Sequence, residues 1–480
     1  MSLDPQDWTE TRALGRTMVD DLLTYLETVR ERPAWRSVPD EVKARLAEDV
    51  PRKGAPLAEV YEAFKQDILP YPTGNIHPRF WGWVMGTGTV SGVMADMLAA
   101  GMNAHLAGYD QAPAIVERQV LDWLKALMGF PTAASGVLVS GGTEANINGL
   151  MSARVAKAGW DIRELGLQAG PPLTVYGGAE THSWIYKACE MMGMGRQAFR
   201  VIPCGDDYRI DLAACRARIE ADLAEGKRPF AIIGNAGTVN TGAVDDLPAL
   251  RALADEFGLW LHIDGAFGAL AAWSDRDRVL VAGQELADSL AFDLHKWGYL
   301  PYEVGVILTR DPQAQLAAYR PSGGAAYLRS SQGGISVDTT YFADRGSQLS
   351  RGFRALKVWM SLKELGADRL GAAIQTNIDQ ARRLGELVDA NPDLERLAPV
   401  SMNIVCFRYA PAALAGVDLN ILNQSILTAL QERGIAVPSQ TVLNGHFALR
   451  VCITNHRSRD DDFDLLVNEV VKIGAELASV

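Results

Sequence analysis

Three short stretches carry side chains able to meet at one reactive aldehyde. In Ser289-Leu290-Ala291-Phe292-Asp293-Leu294-His295-Lys296-Trp297, a lysine follows an apolar strand-like run. Burial penalises an ammonium, so Lys296 beside Phe292, Leu294 and Trp297 is expected to have a depressed pKa or to be used covalently. Such an amine suits imine formation; a lysine snorkelling out beside a tryptophan reads the same way. In Leu261-His262-Ile263-Asp264-Gly265-Ala266, a carboxylate closes another apolar run. At a strand end it needs a cation or several donors, which a protonated pyridine nitrogen or a neighbouring arginine would supply.

The third stretch is Val137-Leu138-Val139-Ser140-Gly141-Gly142-Thr143-Glu144. A strand runs into paired glycines and a helix opens at Thr143 or Glu144, so backbone N–H groups and the helix dipole favour an anion there. Ser140 and Thr143 add hydroxyl donors; a plain capped turn is the alternative. His182, after a fourth strand-like run, gains meaning from this company. An anion cradle, a planar imidazole, a strand-end carboxylate and a strand-end amine, in that order, match the phosphate, ring face, ring nitrogen and aldehyde of pyridoxal phosphate.

Strand-like runs at Gly136–Val139, Leu173–Gly177, Gln197–Val201, Phe230–Gly234, Trp260–Ile263, Ser289–Phe292 and Gly305–Leu308 must position these groups. Helical runs between several of them, notably Asp211–Glu225 and Leu247–Phe257, give the β-α-β order of an α/β fold. A mostly parallel central sheet with helices on both faces is expected. Before it, helical segments at 5–30, Pro39–Asp49 and Ala58–Ile68 share little core and read as an arm that packs on something else, most simply a partner subunit. After it, strands at Asn403–Tyr409 and Leu449–Ile453 and helices at Asn420–Arg433 and Asp461–Ala478 suggest a small α+β domain. The expected division is a helical arm (1–75), a large cofactor domain (76–370) and a small C-terminal domain (371–480).

The net charge of -12 and scattered Lys and Arg provide no basic face for nucleic acid. Five cysteines without CxxC spacing read as reduced thiols, not as a metal site. The most apolar stretch, Val84–Ala100, is broken by Gly86, Gly88, Gly92 and Asp96, so no membrane span is expected. The start lacks a signal-peptide pattern, and the expected location is the cytoplasm.

At SGGTEAN (140–146), HIDGAFG (262–268), DLHKW (293–297) and SRGFRALKVW (350–359), the chain resembles the group II pyridoxal-phosphate decarboxylases, the aromatic-L-amino-acid, histidine and glutamate decarboxylase family, over roughly residues 5–475. The resemblance implies an aspartate-aminotransferase-like (fold type I) homodimer with its active site at the subunit interface. It implies that Lys296 binds the cofactor aldehyde, His182 stacks on the ring, Asp264 holds the ring nitrogen and Ala266 packs on the opposite face. Gly142, Thr143, His295 and Thr238 would hold the phosphate. Arg351 and His105 would reach the substrate, and Tyr327, on a Gly-rich lid, would protonate Cα. The implied reaction turns an L-amino acid, with an aromatic one as first expectation, into its amine and carbon dioxide.

Asp293-Leu294 replaces the Asn-Pro common in relatives, which sets Asp293 awkwardly beside a phosphate unless it faces away or binds through water. Asn75, His77, His105, Tyr109 and Asp110 suggest a more polar pocket; Arg79 or His105 would be its cation for an acidic substrate. Other readings are a carbon–carbon lyase of the sphingosine-phosphate-lyase type, for which no second anion cradle is found, and a cofactor-binding sensor without turnover.

Overall fold

The computed structural model describes residues 3–321, 334–337, 340–414 and 416–479. A seven-stranded sheet is built from β1 (Ser135–Val139), β2 (Leu173–Gly178), β3 (Phe199–Ile202), β4 (Arg228–Asn235), β5 (Trp260–Asp264), β6 (Ser289–Asp293) and β7 (Gly305–Thr309). Its order is β1-β7-β6-β5-β4-β2-β3, with β7 antiparallel to both neighbours and the other pairs parallel. Strands β1, β2, β5, β6 and β7 are buried along their whole length, as continuous apolar runs covered on both faces must be.

Register brings the chemistry to one rim. Asn235 pairs with Asp264, Asp264 with Ala291, Asp293 with Gly305, and Gly305 with Val139. The ends of β4, β5, β6 and β1 therefore lie side by side, as expected from the runs that precede the candidate residues. The helix after β1 opens at Gly142, one residue before the expected start (Gly142–Lys157). The segment 84–100, notable in sequence only for being too broken to span a membrane, contains the helix Val90–Met102, capped by the Thr89 hydroxyl accepting from the Gly92 N–H. Among the described residues, no helix is long and apolar enough to cross a membrane.

A second, antiparallel sheet has the order β10-β11-β9-β8, from β8 (Leu394–Arg396), β9 (Ile404–Tyr409), β10 (Ser439–Leu443) and β11 (His446–Cys452). Strand β10 escaped the sequence reading, although Asn444-Gly445 is the favoured hairpin dipeptide and both residues take positive φ. The helices Ala367–Asp389, Leu419–Glu432 and Asp460–Ala478 bury their apolar faces around this sheet. At the N-terminus, the helix Trp8–Glu27 buries no residue, and Leu57, Val60, Phe64 and Ile68 on or just after the helix Leu57–Asp67 are exposed.

Candidate active site

A cavity of about 320 Å³ opens at the rim, lined among others by Gly142, Thr143, His182, Asp264, Ala266 and Lys296. The three sequence stretches therefore converge. Lys296 Nζ lies 2.9 Å from Asp293 Oδ2. Burial opposes its charge, but the Asp293 carboxylate, helped by Asp264, outweighs burial and raises the lysine pKa. This corrects the expectation of a depressed value, which ignored the carboxylate three residues back.

Asp264 is buried, accepting from the Trp184 indole N–H at 2.6 Å through Oδ2 and from the Ala266 N–H at 3.1 Å through Oδ1. His182 stands exposed at the mouth, its Nδ1 accepting from the Trp184 N–H at 3.2 Å. Desolvation by the surrounding protein lowers its pKa, the Asp264 carboxylate opposes this, and the Lys296 charge adds to it. A neutral ring with Nδ1 as acceptor carries its proton on Nε2.

At the Gly pair, a Cβ on Gly142 would stand 2.7 Å from Asp293 Oδ2 and one on Gly141 3.1 Å from the His295 ring. Both glycines pack closely against side chains, and the helix that starts at Gly142 turns its N-terminal dipole toward an anion. His295 is buried with Nδ1 3.1 Å from both the N–H and the carbonyl of Val304, and its ring packs 4.4 Å from that of Tyr302. Thr143 is exposed at the helix start.

Other expected contacts are placed elsewhere. The Ser140 hydroxyl and N–H both go to Glu144, at 2.6 and 2.9 Å, and so are not free phosphate donors. The Thr238 hydroxyl accepts from the Ala243 N–H and pairs with Thr241 inside its own turn, while Gly237 and Val239 face the cavity. Arg351 is fully enclosed: it binds Glu117 and the carbonyls of Leu106 and Leu138, so it braces the core instead of reaching substrate. His105 is exposed and accepts from the Ala107 N–H, and Arg79 donates to the Ile435 carbonyl; neither lines the cavity. Tyr327 lies outside the described residues. Asp293 faces the Gly turn and Lys296, not away from them.

The sequence reading missed Trp184, Asn235, Trp83 and Arg450. Arg450, on β11, donates to the carbonyls of Trp83, Val239 and Asn240 and so ties the second sheet to the cavity wall. A buried arginine on a distant strand gives no local signal.

A model of the pyridoxal-dependent decarboxylase conserved domain matches residues 39–410. The chain belongs to this family. An aromatic-L-amino-acid decarboxylase of Bacillus atrophaeus is 32% identical over 98% of this chain and 96% of its own length. Tryptophan decarboxylase 2 of Oryza sativa is 28% identical over 98% and 96%. The structure of the Oryza sativa enzyme TDC with pyridoxal phosphate and tryptamine superposes with a TM-score of 0.91 at 26% identity, covering 99% of this chain and 100% of that one. This family member is a pyridoxal-phosphate-dependent amino-acid decarboxylase of the fold type I class. The donor set fits the cofactor: a helix start with an exposed Thr143, a held carboxylate and a primary amine share one cavity.

Proposed function

We propose that the substrate is an aromatic L-amino acid, converted to its amine and carbon dioxide. The observation that carries this is the cavity itself, where Lys296, Asp264 and the Gly142 turn share walls with Trp83, Val84, Phe267 and Trp184. These walls favour a flat apolar side chain. The relatives whose names specify tryptophan or tyrosine point the same way.

When bound, pyridoxal phosphate supplies a conjugated ring that accepts the electrons of the breaking Cα–carboxyl bond. The chain's residues do the rest. Lys296 would hold the cofactor through its amine and would release it when the substrate amine binds. The Asp264 carboxylate, oriented by Trp184 and Ala266, offers an anion to the ring nitrogen. His182 and Ala266 would bracket the ring, and Gly142, Thr143 and His295 would hold the phosphate. Thr238 contributes through the backbone of its turn. Tyr327 delivers a proton to Cα, which favours the amine over an aldehyde product.

The working unit is a homodimer in the cytoplasm. Apolar residues exposed on separate helices, Leu57, Val60 and Phe64 on one and Val90, Met97 and Met102 on another, support a partner-covered face. The separate second sheet and its helices support a small domain over 371–480, after the cofactor domain (76–370) and the arm (1–75).

The test is carbon dioxide release over a panel of amino acids, with wild type and Lys296→Ala in parallel. Release from aromatic substrates by wild type alone is expected. Equal turnover by the two proteins, or activity confined to acidic substrates, would sink the reading.

A further inference from the structure

Asp293 is nearly inaccessible, at 1% exposure, and among the described residues neither of its oxygens accepts an aligned hydrogen bond. Its Oδ2 lies 2.9 Å from the Lys296 ammonium, a close ion contact and not a directed bond. The carboxylate is wedged against the glycine turn: a Cβ on Gly142 would lie 2.7 Å from Oδ2, and one on Gly305 2.7 Å from Oδ1. Other ionisable groups face it at longer range. His295 Nε2 is 3.8 Å away, His182 and Tyr302 feel its field, and Asp264 shares its influence on Lys296.

Two demands meet at this pair when a phosphorylated aldehyde enters. An ammonium has no lone pair with which to attack a carbonyl carbon. A buried carboxylate beside a glycine turn repels a phosphate dianion. Moving one proton answers both.

We propose that Asp293 is the internal base for cofactor loading, taking a proton from Lys296 so that the amine becomes nucleophilic as the carboxylate becomes neutral. The Nζ–H bond breaks and an Oδ2–H bond forms. The amine lone pair then adds to the aldehyde carbon, and the imine forms with loss of water. The pair exchanges no net proton with solvent. The charged Asp293 carboxylate raises the pKa of Lys296 and so holds the proton on Nζ until the cofactor arrives; the incoming phosphate charge disfavours the Asp293 anion and tips the proton toward Oδ2.

The proposal rests on Lys296 being the attachment residue, and the experiment separates the two claims. The full-length chain, stripped of cofactor with hydroxylamine, is mixed with saturating pyridoxal phosphate. The growth of visible absorbance is then followed from about pH 7 to 9, where the phosphate is already dianionic. A proton moved inside the Lys296–Asp293 pair leaves its total proton count unchanged. The wild-type rate should therefore change less than about threefold. In Asp293→Asn the lysine must lose its proton to solvent, and burial is no longer offset by that carboxylate; the rate should rise about tenfold per pH unit below the lowered lysine pKa and level off above it. A wild-type rate that itself climbs about tenfold per unit overturns the proposal. If the variant fails to fold, the wild-type profile alone decides. Lys296→Ala that still forms the band at any pH would overturn the attachment assignment instead.

Discussion

The indole N–H of Trp184 donates to Asp264 Oδ2 at 2.6 Å, across a gap of 80 residues in sequence. The tryptophan follows β2 and the carboxylate ends β5, with β4 between them in the sheet. With the Ala266 N–H on Oδ1, the bond fixes the plane of the carboxylate that faces the cavity. A hydrogen bond to a charged acceptor contributes about 1.5–3 kcal/mol. Trp184→Phe should lower kcat/KM by roughly ten- to a hundredfold, because the carboxylate loses its orientation. Steady-state kinetics beside thermal unfolding will check this. A variant that only melts earlier, with kcat unchanged, would make Trp184 a packing residue.

Arg351 and Glu117 form a buried pair, the arginine also donating to two carbonyls at 2.7 Å. Removing one partner strands a charge. Arg351→Met should destabilise the fold by about 3–5 kcal/mol, and the double variant with Glu117→Leu should recover much of that loss. Urea unfolding measures both. The opposite pattern, a raised KM with unaltered stability, would return Arg351 to the substrate.

Gly86 packs its α-carbon against the backbone that carries the reactive lysine. A Cβ there would stand 2.0 Å from the His295 carbonyl oxygen and 2.6 Å from that of Lys296. Neither atom can swing aside, so Gly86→Ala should shift the 295–296 backbone and cost about 1–3 kcal/mol. Cofactor retention should weaken at least tenfold, read as loss of visible absorbance on dilution. Undiminished retention would show that the segment yields without consequence.

His262 is fully buried between Ser289 Oγ and Asn146 Oδ1, both at 2.7 Å, and burial lowers its pKa to about 4 despite the nearby Asp264. His77, also buried, is lowered to about 4, first by burial and then by Arg79. Between the ordinary histidine value of about 6.5 and about 4, the unfolded chain binds more protons at these sites than the folded one. Stability is therefore complete above about pH 6.5 and declines as pH falls, by at most about 1.4 kcal/mol per unit for each ring. Urea unfolding at several pH values should show the decline, and His262→Gln should make it shallower. An identical slope in the variant would count against this source.

The strand runs were readable because each is a short apolar segment bounded by turn residues, and β1, β5, β6 and β7 lie within a residue or so of their expected places. The alternation of strands with helices pointed to a mostly parallel sheet, so the ends of β1, β5 and β6 share a rim, while β7 runs the opposite way. That made Lys296, Asp264 and Gly142 neighbours before any coordinates. Strand β10 alternates buried and exposed residues beside an Asn-Gly turn; its signal was present and unread. Val90–Met102 is glycine-containing and apolar, so its helical period is faint.

By itself the sequence determined the cast and its order, since strand-end placement follows from local pattern and chain direction alone. Tertiary structure decided how each polar group is spent: Ser140 on Glu144, Arg351 on Glu117, Thr238 within its turn, and Asp293 toward Lys296. The physical reason is that a buried donor or acceptor must be satisfied by whatever the fold brings within about 3 Å. For Arg351 that partner lies 234 residues away, at a separation that no local pattern encodes.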